Sequence, residues 1–155
     1  MSTTGLPTFD HTIQATNIWL RELAEAMGWG DDRQRTYNAL RAVLHALRDN
    51  MSLAEAADLS AQLPLLIRGV FFEGWRPAGK SKPERKLQHF LARVESAFPH
   101  DVLVNAEEIT SAVFALVSRH VSAGEVNDVK NCLPKHIRSL WPKNRPADDR
   151  VFATK

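Results

Sequence analysis

The sequence predicts an all-α fold of about eight helices, set out as two tandem four-helix units. Three observations carry that reading. Apolar residues recur at helical spacing and nowhere alternate as a strand requires. Capping signatures stand in front of the periodic stretches. The chain also resembles itself at an offset of about 70 residues.

The elements follow in order. Ile13, Leu20, Leu23 and Met27 fall on one face of a first long helix, and Tyr37, Leu40, Leu44, Leu47 and Met51 on one face of a second. The acids Asp31 and Asp32 sit where that second helix starts and its dipole favours negative charge. Ser52 with Glu55 has capping-box spacing and opens a short third helix. Pro64 fits only a first turn, so it starts a fourth helix that ends near Gly74. The run "RPAGKSKP" reads as a linker.

Beyond the linker, Ser81 with Glu84 precedes the face Leu87, Phe90, Leu91, Val94 and Phe98. Asn105 with Glu108 precedes Ile109, Val113, Leu116, Val117 and His120. Ser122 with Glu125 opens another short helix, and Pro134 starts the last. The expected organisation is a helical domain over residues 9–142, made of units 9–75 and 82–142, with a loose tail over 143–155.

The self-similarity is ungapped over residues 40–71 against 110–141. Its identical pairs are Ala42/Ala112, Val43/Val113, Ser52/Ser122, Glu55/Glu125, Asp58/Asp128, Leu63/Leu133, Pro64/Pro134, Ile67/Ile137 and Arg68/Arg138. Average residue usage would give roughly two identities by chance. Val70/Leu140 and Phe71/Trp141 keep apolar character, so these positions should form each unit's core. Gly69 and Ser139 are both small, which would let another helix cross closely.

With "LRAVLHALRDNMSLAEAADLSAQLPLLIRGVFFEGW" and the later "LPKHIRSLWP", the chain resembles the bacterial domain-of-unknown-function family 2267 from about Phe9 to Pro142. The resemblance implies a small all-helical bacterial protein. It implies no activity, because the family has none assigned.

Composition narrows the function classes. The 155 residues are 44% hydrophobic and 25% charged, ordinary for a globular chain that buries roughly 70% of its unfolded surface. A net charge of +2 gives little pull toward nucleic acid. The start "MSTTGLPTFD" lacks the features of a signal peptide, and no apolar run approaches the roughly 20 residues that span a bilayer. One cysteine, Cys132, excludes an internal disulfide. A cytoplasmic protein without membrane contact is the expectation.

No catalytic or cofactor signature is present: the chain lacks G-x-S-x-G, the P-loop and the dinucleotide fingerprint. None of His11, His45, His89, His100, His120 and His136 has a second histidine three or four residues away. His136 follows Cys132 by four residues, but Pro134 intervenes. No metal or cofactor is expected, and Cys132 reads as a plain thiol. The sequence therefore points away from an enzyme and toward a protein-binding or scaffold module.

Three clusters remain as candidates. Arg68 and Arg138 recur in register with Asp58 and Asp128, so each arginine could lock its helical hairpin through an ion pair. Glu55 and Glu125 could take the same role, or the two arginines could face one anionic ligand. Arg76, Lys80, Lys82, Arg85 and Lys86 could contact phosphates, the alternative reading of a nucleic-acid-associated protein. Leu65, Leu66 and Phe72 are apolar where the second unit has Lys135, His136 and Pro142. They pack against the rest of the chain or form a partner patch.

Overall fold

A computed structural model of the chain describes residues 2–78, 86–101 and 103–143. Eight helices and no strand occur among them: α1 (Pro7–Met27), α2 (Arg33–Arg48), α3 (Leu53–Ser60), α4 (Leu65–Phe72), α5 (Leu87–Glu95), α6 (Ala106–His120), α7 (Ala123–Cys132) and α8 (Lys135–Arg138).

Local chemistry places their ends. The side chains of Asp32, Ser52, Asn105 and Ser122 accept from the amides of Arg35, Glu55, Glu108 and Glu125, satisfying donors that a first helical turn leaves free. Pro64 and Pro134 stand immediately before α4 and α8. At the far end of α1, Gly28 adopts φ 70°, the left-handed conformation that lets Trp29 N–H reach back to Ala24 O at 3.0 Å. The Ser81/Glu84 signature, Lys80, Lys82, Arg85 and the tail over 144–155 lie outside the described residues.

All eight helices contribute to one buried cluster. Leu63, Ile67 and Phe71 enter it from the α3–α4 corner, and Leu133, Ile137 and Trp141 from the α7–α8 corner. Val70 and Leu140 are only half-buried. Ile13, expected on the inner face of α1, is exposed. Gly69 mediates no close crossing, since a Cβ there would meet nothing within 4 Å.

Polar bonds fasten α4 in place at both ends. Its second amide, Leu66 N–H, donates to Thr12 Oγ1 of α1 at 2.8 Å, so a neighbouring helix caps what Pro64 cannot. At its other end, His45 Nε2 meets Val70 O at 2.7 Å, and Arg48 Nη1 donates to Phe71 O and Glu73 O at 2.9 and 2.8 Å. Removing only the α1 contact through Thr12→Val keeps shape and deletes the acceptor. The expected loss is about 1 kcal/mol in urea unfolding, the usual worth of a helix cap. An unchanged midpoint would show that water caps Leu66 equally well.

The proposed arginine locks form differently from the expectation. Arg68 Nε donates to Ser60 O at 2.9 Å and its Nη2 to Leu63 O at 3.2 Å. Arg138 Nη2 donates to Leu133 O at 3.0 Å. Among the described residues no ion pair joins Arg68 to Asp58 or Arg138 to Asp128. The physical reason is proximity to a helix end: α3 and α7 leave carbonyls without intrahelical partners just where the chain turns. A guanidinium there meets concentrated negative dipole without crossing to another side chain. Each arginine thus spends donors on the carbonyls of its own corner.

Candidate binding groove

The largely apolar groove of this chain lies between α1 and the α3–α4 corner and encloses about 400 Å³. Thr8, His11, Ala15, Ile18 and Trp19 line it from α1, spaced so that one stripe of the helix faces inward. Gln62, Leu63, Pro64 and Leu65 form the opposite wall, and His120 from the end of α6 closes one end. Thr12 stands at the junction, where its bond to Leu66 N–H ties the two walls together.

The closed end is held by stacking and charge. The His120 ring lies on Trp19 with centroids 4.8 Å apart and planes inclined by 23°. Its Nε2 and Arg119 Nε both meet Glu22 Oε1 at 3.0 Å. Burial works to raise the Glu22 carboxyl, yet the bonds from His120 and Arg119 outweigh it and hold the group below the usual carboxylate range. The charged groups at this end are thus matched to one another.

The apolar patch divides. Leu65 is 48% exposed and Leu66 44%. Phe72 is half-buried against the core, its ring centroid 5.0 Å from those of Phe71 and Trp75. Phe72 therefore offers less free surface than Leu65 and Leu66. Leu6 just before α1, Phe9 and Ile13 on it, and Ile18 in the groove wall add exposed apolar surface.

The remaining candidates are dispersed. Of the five basic residues near the linker, Arg76 is exposed and Lys86 stands at the amino end of α5, while the other three lie outside the described residues. Cys132 Sγ donates to Asp128 O at 3.1 Å. Burial, then the bond with Glu55, pushes its thiol up to about 12, so no nucleophilic thiolate forms near neutral pH. No group of three His, Cys, Asp or Glu side chains among the described residues could hold a metal ion.

Sequence reasoning did not find Thr12, Trp19, Gln62 and His120 as neighbours of Leu65. They come from three separate elements with no common spacing, so no local signal joins them. No helix among the described residues is long and apolar enough to cross a membrane. A family model described as "Uncharacterized conserved protein (DUF2267)" matches residues 16–140, and no curated protein matches the chain.

Proposed function

The chain belongs to the DUF2267 family, described only as uncharacterized, and from that premise we propose that it is a protein-binding module. Its groove receives the apolar face of a partner helix. The observation that carries this reading is the exposure of Leu65, 48%, in the wall of a groove also lined by Ile18 and Trp19, with Leu66, 44% exposed, next to it in the chain. Two adjacent leucines left in water beside an apolar channel cost hydrophobic free energy that a partner would recover.

Chemistry selects the kind of occupant. No strand exists among the described residues, so there is no sheet edge on which an extended peptide could add. At the closed end Glu22 is satisfied by Arg119 and His120, leaving little to recognise an ionic ligand. Helix-in-groove recognition needs what remains, apolar walls with a few polar side chains such as Thr8 and His11.

A designed amphipathic peptide with leucines at positions i, i+4 and i+7 tests the reading. It should shift amide resonances of α1 and α4 around the groove, and a serine-substituted peptide should not. Leu65→Glu should weaken binding by more than about tenfold, since the complex would bury an unpaired carboxylate. Because Leu65 is on the surface, the same variant should unfold within about 0.5 kcal/mol of the parent. Resonance changes scattered over the surface, or binding that survives the glutamate, would overturn the proposal.

A further inference from the structure

The helices α3 and α7 pack antiparallel across a seam that collects acids. Gln62, just past the end of α3, pairs with Ser122 at the start of α7: Gln62 Nε2 donates to Ser122 Oγ at 3.1 Å, and Ser122 N–H donates to Gln62 Oε1 at 2.8 Å. At the opposite end Glu55 lies beside the Cys132 thiol. Between them lie Asp58, Glu125 and Asp128.

The geometry leaves one of these acids stranded. Ser122 and Glu125 have capping-box spacing, and half the box forms, with Ser122 Oγ accepting from Glu125 N–H at 3.2 Å. In the other half Glu125 would accept from Ser122 N–H, but Gln62 has taken that donor. Glu125 is left 9% exposed, its Oε2 buried without a hydrogen-bond partner. The charges that act on it are those of Asp128 on its own helix and of Asp58 and Glu55 on α3. The helix α6, which also packs against α7, brings it no ion pair, and no cation is paired with any of these four carboxylates among the described residues. The cluster also lacks the geometry to hold a metal ion.

With its Oε2 buried beside like charges and offered neither cation nor hydrogen-bond donor, Glu125 is pushed toward the neutral acid. We propose that the α3–α7 seam is a proton-operated latch, closed by protonated Glu125 and loosened when Glu125 ionises. Loosening frees Gln62 from Ser122. Because Gln62 also lines the groove, the latch would remodel that wall; this consequence rests on the binding reading above, while the latch itself does not.

The direction of the pH effect follows. Burial first, then the charges of Asp128, Asp58 and Glu55, raise Glu125 above its ordinary value in the folded chain. The stabilisation from protonated Glu125 is therefore complete below the unfolded-chain value, about 4.3. It is lost as pH rises through the raised folded value.

Hydrogen exchange of the α7 amides, compared between the parent chain and Glu125→Gln at matched pH, reads the latch and cancels the intrinsic pH dependence of exchange. The rate ratio of parent to variant should stay near one at about pH 4 and climb severalfold by about pH 8. A ratio that stays flat would overturn the proposal. The double variant Asp58→Asn, Asp128→Asn keeps Glu125 and alters only exposed positions, so it should fold and blunt the climb. An undiminished climb would also overturn the seam. Neither experiment uses a ligand, so the latch can fail while Leu65→Glu still abolishes peptide binding, and the reverse.

Discussion

Phe114→Ala is expected to lower the unfolding free energy by about 4 kcal/mol, toward the upper part of the range for aromatic truncation. Phe114 is fully buried. Its ring stacks on Trp141 with centroids 4.3 Å apart and planes inclined by 20°, and it meets Phe90 at 6.4 Å. Transfer of the ring out of water accounts for roughly half the loss, and the void for much of the rest. The void cannot close easily, because Trp141 Nε1 donates to Ser118 Oγ at 2.7 Å and holds the indole beside α6. Loss of the stacked pair adds about 1 kcal/mol beyond area. Phe114→Leu, which refills most of the volume, should cost only about 1.5 kcal/mol. Urea unfolding measures both. Near-equal losses for alanine and leucine would mean that packing around Trp141 does not control the site.

The same corner shows which features were legible in the sequence. Phe71 and Trp141 were recognisable as core by comparing the chain with itself, because burial constrains side-chain type. The caps at Ser52, Asn105 and Ser122 were legible for a different reason: donor and acceptor lie three residues apart, so the interaction is written in local spacing. The return bond from Ser122 N–H to Glu125 is different, because Gln62, 60 residues from Ser122, occupies that donor. Local spacing cannot register a competitor brought by tertiary packing.

Arg68 shows the opposite failure. Its sequence neighbourhood offers Asp58 as an obvious partner, whereas the acceptors it uses are the carbonyls of Ser60 and Leu63. Every residue carries a carbonyl, so a backbone acceptor has no signature in the sequence. His45 and Arg48, which bond carbonyls of Val70, Phe71 and Glu73, were illegible on the same ground. The groove was half legible. Contrast with Lys135 and His136 marked Leu65 and Leu66 as unusual, but Trp19 and His120 reach them through the fold alone.

Arg48→Ala should cost about 3 kcal/mol and lower the melting temperature by roughly 6–12 °C for a chain of this size. Only 4% of Arg48 is exposed. Its guanidinium ties the end of α2 to that of α4: Nη1 donates to Phe71 O and Glu73 O, and Nε donates to Asp49 Oδ1 at 2.9 Å. Arg93 of α5 also pairs with Asp49, at 2.5 Å. Burial works to raise Asp49, but the bonds from Arg48 and Arg93 hold it low. Removing one partner of a buried pair costs roughly 3–5 kcal/mol, because the groups left behind stay desolvated. The lower figure applies here, since Asp49 keeps Arg93 and the exposed Glu73 can regain water. Arg41 provides the internal contrast: it pairs with Glu73 at 2.8 Å across exposed surface, where such bridges contribute less than about 1 kcal/mol. Calorimetric melts of the two alanine variants should separate clearly. If Arg41→Ala proved as damaging as Arg48→Ala, burial of the guanidinium would not be what fastens α4 to α2.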